Sequence, residues 1–274
     1  MVQLDHLSNS SVSQWLMCPR SWKFGRVDQV PHKTATNLVF GSAFHDAVED
    51  RVRSNAIGPK RPLIKCWSAA WSNQLIENDN GANIEWGDKT ASEMNYLGRS
   101  MLAAPSIRNM VDSIRPMMVV DERGWELADA SCKRPHPLIE KLVELRIPGI
   151  DIPLIGYVDV ITNDAIPGDL KTASRRWSQS KADKEMQATL YLAALEQMGF
   201  ERNPKREFRY YVFTKTNKPA AQVITTTRTQ KQIDWTLQAV RDVYDAIKKG
   251  VFPPNNTGWK CGDKWCEFYE HCHS

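Results

Sequence analysis

Gly156-Tyr157-Val158-Asp159-Val160-Ile161-Thr162-Asn163-Asp164-Ala165-Ile166-Pro167-Gly168-Asp169-Leu170-Lys171-Thr172 is the stretch whose reading decides the fold. Two short apolar runs, 154–161 and 165–170, flank the polar triplet Thr162-Asn163-Asp164. Apolar runs bounded by turn residues read as strands, and the polar break reads as a hairpin. Asp159 falls in the first strand. Asp169 and Lys171 lie two apart in the second, so they share a face. Two carboxylates and an ammonium on one small patch are costly to bury without a purpose. A divalent cation is the simplest one, because carboxylates suit a hard ion such as Mg²⁺ or Mn²⁺. A lysine beside it can position or deprotonate an attacking water. The competing reading is a surface hairpin with ordinary charges.

Working outward, Thr36 to Arg53 reads as a helix with Leu38, Phe40 or Ala43, Phe44, Ala47 and Val48 on its buried side. His45 and Glu49 are four apart and share a face; alone, His45 reads as a hydrogen-bonded helix histidine. Lys181 to Met198 reads as one helix with an apolar stripe at Met186, Leu190, Ala193 and Ala194, and Gln187 and Tyr191 stand one turn apart on it. Arg175, Arg176, Trp177 and Lys181 lie in a polar loop between Lys171 and that helix. Basic residues around an aromatic can hold phosphates and stack a base, or form a solvated loop. Ile139–Ile147 reads as a strand entering the turn at Pro148-Gly149. Glu207–Thr214 and Ala221–Thr227 read as two more strands, and Gln230 to Lys249 as a helix. Residues 54–135 carry helical spacings at Trp67, Trp71 and Leu75 and at Met94, Leu97 and Met101. They read as a helical insertion, either a packing subdomain or a DNA-binding arch.

The two ends carry cysteines. Ser8 to Met17 reads as a short capped helix, stopped by Cys18-Pro19-Arg20. By itself Cys18 reads as a buried thiol. Cys261, Cys266 and Cys272 fall within twelve residues of a chain that has six cysteines. Three ligands are one short, and Cys18 could complete four. Four thiolates suit iron–sulfur or zinc, and His271 or His273 could substitute in a zinc site. Cys66 and Cys132 have no metal-ligand spacing.

Composition bounds the rest. The chain has 274 residues, 42% hydrophobic and 25% charged, which suits one large domain or one domain with an insertion. A net charge of +4 is compatible with nucleic acid without requiring it. No apolar run approaches the length of a membrane span, and the start Met1-Val-Gln-Leu-Asp-His lacks a leader pattern. A cytoplasmic protein is expected, in which cysteines serve as thiols or metal ligands rather than disulfides.

Asp159, then Asp169-Leu-Lys171 on a hairpin, resembles the PD-(D/E)XK nuclease core. Gly41-Ser-Ala-Phe-His45 upstream, Gln187-Ala-Thr-Leu-Tyr191 downstream and the terminal cysteines resemble the RecB-type branch, with its Cas4-like and AddB-type exonucleases. Val158 stands where the name-giving motif has proline, Asp169 is the shorter of its two permitted acids, and Cys261 and Cys266 have four residues between them where the family has two.

The resemblance implies an α/β restriction-endonuclease-like fold. It has a central mixed sheet flanked by helices, the insertion at 54–135, a catalytic sheet and helix at 136–227 and a metal-cluster tail at 250–274. It implies that His45, Asp159, Asp169 and the Leu170 carbonyl hold Mg²⁺ or Mn²⁺. Glu144, with Glu140 as fallback, supplies a further acid. Lys171, Gln187 and Tyr191 serve the water and the phosphate, and Cys18, Cys261, Cys266 and Cys272 hold a [4Fe–4S] cluster. The implied reaction is phosphodiester hydrolysis in DNA, leaving a 5′-phosphate, by an exonuclease on ends or single strands. The implied setting is a phage or prokaryote, with a helicase or recombination partner. The alternative is a nuclease-fold DNA-binding or assembly module without catalysis.

Overall fold

The computed structural model describes residues 4–121, 124–129 and 131–274. Residues 1–3, part of the start read for a leader pattern, and positions 122, 123 and 130 of the segment 54–135 lie outside the described residues.

The centre is a five-stranded mixed sheet. Its strands are β1 (Ile139–Leu145), β2 (Leu154–Ile161), β3 (Pro167–Ala173), β4 (Glu207–Thr214) and β5 (Ala221–Thr227), adjacent in that order. The pairs β1–β2, β2–β3 and β4–β5 are antiparallel, and β3–β4 is parallel. A parallel pair needs a crossover, and two helices, α7 (Gln179–Lys184) and α8 (Met186–Gln197), supply it. The mixed α/β architecture expected from the sequence is the one observed.

One pairing is unusually short. β2 and β3 are in register only at Val160↔Gly168 and Ile161↔Pro167. Beyond those pairs the strands part. The Leu170 amide, which a longer ladder would have satisfied, donates instead to Asp159 Oδ2 at 2.6 Å.

Helices cover both faces. α1 (Asn9–Met17) is capped by Ser8, whose Oγ accepts from the Ser11 amide at 3.1 Å. α2 (Pro19–Arg26) follows at once. Reading Pro19 as a stop was half right. It ends α1, but proline also fits the first turn of a helix, where its missing N–H costs nothing. α3 (Thr36–Ile57) runs four residues past the expected end, to Gly58. Leu38, expected on its buried side, is exposed because it lies in the first turn, away from the Phe40–Phe44–Val48 stripe. α4 (Leu63–Glu77), α5 (Ala91–Ala103) and α6 (Pro105–Ser113) pack around it. Their contact is an aromatic stack of Phe40, Phe44, Trp67 and Trp71, continued to Phe213 of β4. On the opposite face, α1, α8 and α9 (Gln230–Lys248) enclose Val12, Val143, Val158, Leu190, Phe208 and Val240.

The single helix expected from Lys181 to Met198 is two, α7 (Gln179–Lys184) and α8 (Met186–Gln197). They break at Glu185, whose backbone is extended. The cause lies outside the segment. The buried Arg228 guanidinium donates from Nη2 to the carbonyls of Ala182 and Glu185, each at 3.0 Å. Those carbonyls belong to the end of α7, and a charged donor is a strong partner for them. The chain ends with α10 (Tyr269–His273).

Candidate active site

Where β2 and β3 part, their acids meet a helix from each face. α3 brings His45 to the site, with Nδ1 3.7 Å from Asp159 Oδ2. α8 brings Gln187, which donates from Nε2 to Asp169 Oδ1 at 2.7 Å. Lys171 Nζ stands 2.8 Å from Asp169 Oδ2. That oxygen is buried, and the ammonium is its partner. Tyr191, one turn beyond Gln187, lies over Gly156. A Cβ at residue 156 would come within 2.5 Å of the Tyr191 ring, so glycine is required there for α8 to seat. Gly41 has no such duty, since a Cβ there would make an ordinary 3.6 Å contact with Thr172 Oγ1.

The electrostatics follow from burial. Burial and the charge of Asp169 push Asp159 well above the usual carboxylate range, against the pull of the Leu170 amide and Lys171. Burial pushes His45 down to about 4, so its imidazole is neutral over the physiological range. Burial pulls Lys171 down, but the charge and hydrogen-bonding capacity of Asp169, followed by the charge of Asp159, more than offset it and keep the ammonium charged. Burial raises Tyr191, and Gln187 opposes it.

The donor chemistry suits a hard divalent cation. Two buried aspartates face one ammonium, and a neutral imidazole stands beside them. As they stand, no three His, Cys, Asp or Glu side chains among the described residues are spaced to hold an ion. The same holds for the cysteines. Even so, Cys18, Cys261, Cys266 and Cys272 line one cavity of about 670 Å³. All six cysteines are free of disulfides. The Cys266 thiol is raised by burial and by neighbours that include Cys18 and Cys261.

A profile of the PD-(D/E)XK nuclease superfamily matches residues 6–273. The chain belongs to this superfamily. It is 24% identical over 289 aligned positions to the Gene 69 protein of Mycobacterium phage L5, covering 97% of this chain and 95% of that one. It is 22% identical to the Gene 69 protein of Mycobacterium phage D29, covering 99% and 97%. The crystal structure of a candidate exonuclease from Eubacterium rectale shares the fold, with a TM-score of 0.56 and 11% identity over 99% of this chain and 94% of that one. No helix among the described residues is long and apolar enough to cross a membrane.

Other sequence-derived positions fall elsewhere in this superfamily fold. Glu144 does not reach the site. Register sets it opposite Ile155, four residues or roughly 13 Å along β2 from Asp159, and its carboxylate accepts from Arg146 Nε at 2.6 Å. The fallback, Glu140, flanks the site. It adds to the upward shift of Asp159, and Arg53 of α3 contacts it at 3.6 Å. Arg175 and Arg176 are exposed. Trp177 is not open for base stacking: its ring packs on Tyr210 at 5.1 Å, and Lys181 Nζ lies 4.4 Å over it. Lys181 also pairs with Glu185 at 2.8 Å. Sequence reasoning overlooked Glu49 as a site residue. Burial, then Asp159, Glu140 and Asp46, push its carboxyl up to about 9. The signal was its spacing of four from His45.

Proposed function

We propose that this chain is a Mg²⁺- or Mn²⁺-dependent deoxyribonuclease of the RecB and Cas4-like branch, an exonuclease acting on DNA ends or single strands. The observation that supports it is the meeting of His45, Asp159, Asp169 and Lys171, from α3, β2 and β3, where the sheet opens. In this reading His45, Asp159, Asp169 and the Leu170 carbonyl hold the cation. Such an ion, when bound, lowers the pKa of a coordinated water and neutralises phosphate charge. Gln187 fixes the Asp169 carboxylate through Oδ1, and Lys171 holds Oδ2. The Lys171 ammonium orients the nucleophile and stabilises the developing negative charge. Tyr191 supports the substrate phosphate, and Arg175 and Arg176 contact the strand. Cys18, Cys261, Cys266 and Cys272 hold a [4Fe–4S] cluster, with zinc as the other metal that a four-thiolate site suits. A helicase or recombination partner supplies single strands from duplex DNA.

End-labelled single- and double-stranded DNA with Mg²⁺ or Mn²⁺ tests this. Lys171→Ala and Asp159→Ala each lower cleavage by about 10²–10³-fold or more, with the circular dichroism of the native fold retained. Full activity in either variant removes the mechanism. Strand binding without cleavage by the wild type would leave a DNA-binding module on a nuclease fold.

A further inference from the structure

The sheet is not fully covered on the α3 side. Val158 is buried under α8, so its neighbours Tyr157 and Asp159 project to the other face. Asp159 meets His45 of α3 there. Tyr157 lies past the edge of that helix and is 56% exposed, and Leu142, directly opposite on β1, is 48% exposed. The two make an apolar shelf that starts roughly 7 Å from Asp159 along the strand. An exposed aromatic beside an aliphatic on a sheet face contributes little to the fold. Charge does not explain the shelf either, since its flanking acids are both matched, Glu140 by Arg53 and Glu144 by Arg146.

We propose that Tyr157, backed by Leu142, stacks the nucleobase next to the phosphate bound at Asp159, and so selects single-stranded DNA over duplex. The proposal rests on the nuclease reading above and adds the substrate form to it. A phosphate seated at the acids brings its neighbouring nucleotide within reach of the shelf. The shelf offers a ring face, which suits an unpaired base and not a backbone. A paired base keeps its faces stacked within the duplex and gains nothing from Tyr157.

The test measures binding of a fluorescein-labelled single strand and a labelled blunt duplex, with Ca²⁺ replacing the catalytic ion, and then kcat and KM with Mn²⁺. Tyr157→Ala weakens single-strand binding about tenfold and raises KM with kcat retained. It leaves duplex binding unchanged and keeps the salt slope of binding, because no phosphate contact is lost. Tyr157→Phe and Tyr157→Trp bind as the wild type does. Equal single-strand affinity in wild type and Tyr157→Ala overturns the proposal, as does equal weakening toward both DNA forms. A loss in Tyr157→Phe matching that in Tyr157→Ala also overturns it, by assigning the effect to the hydroxyl. An active wild type paired with an unaffected Tyr157→Ala removes the shelf alone. A wild type that neither binds nor cuts DNA removes the nuclease reading with it.

Discussion

Glu49 shows how one carboxyl takes its chemistry from three elements. It stands between His45 and Arg53 in a row along α3, and those two reach Asp159 and Glu140. Its folded value of about 9 lies far above its ordinary 4.5. Between those values the folded chain keeps a proton that the unfolded chain has released, so this residue costs more stability as pH rises through the window. His45 has the opposite sign. Its folded value of about 4 lies below 6.5, so the unfolded chain binds the extra proton and stability falls as pH drops through that interval. Glu49→Gln removes the first cost. We expect it to raise the thermal midpoint of the metal-free protein by roughly 2–5 °C near pH 8 and to change it little near pH 4. Calorimetry in EDTA reads both, and equal midpoints near pH 8 would mean that Glu49 is ionised in the fold. At this scale the sequence was half legible. Asp159, Asp169 and Lys171 could be read because strand spacing places them. Glu49 showed only its spacing from His45, since the acids that raise it, Asp159 and Glu140, come from β2 and β1, and choosing Glu140 over Glu144 needs the register.

The break between α7 and α8 makes Arg228 a structural cation rather than a ligand for DNA. Its guanidinium is buried and donates to the carbonyls of Ala182 and Glu185, to Thr189 Oγ1 at 2.7 Å and to Thr226 Oγ1. Arg228→Met strips these acceptors of a charged donor. The expected loss is about 2–4 kcal/mol, read as a lower midpoint in urea. An unchanged midpoint would mean that water or the backbone satisfies the same carbonyls. The break was illegible from residues 181–198, whose apolar stripe runs through it. The residue responsible lies 43 positions beyond Glu185. By contrast, β2, β4 and β5 match the expected limits, because each is rich in β-branched or aromatic residues.

Across the whole molecule, the first and last segments are fastened together. Phe252 stacks on Trp22 at 5.7 Å, and its carbonyl accepts from Arg20 Nε at 3.1 Å. Asn255 Nδ2 donates to the Met17 carbonyl at 2.8 Å, beside Cys18. The four cysteines lie at this seam, so a cluster there acts as a clasp whose binding adds to folding. On the proposed cluster reading, Cys266→Ser is expected to remove iron and acid-labile sulfide from the purified protein. It also speeds tryptic cutting at the exposed Lys260 and Lys264, roughly tenfold for each 1.4 kcal/mol of docking lost. Retained iron, or an unchanged cutting rate, would detach the cysteines from that role. The pairing of Cys18 with the tail could be proposed from the cysteine count, whereas the Trp22–Phe252 stack had no sequence signal. The parting of β2 from β3 carries a constraint of its own. The Leu170 amide depends on one side chain, so position 159 answers to the backbone as well as to chemistry. A glutamate would carry its oxygens a methylene too far for that amide, and an alanine would leave it orphaned. Two separate demands thus hold the side-chain length at this position to that of aspartate.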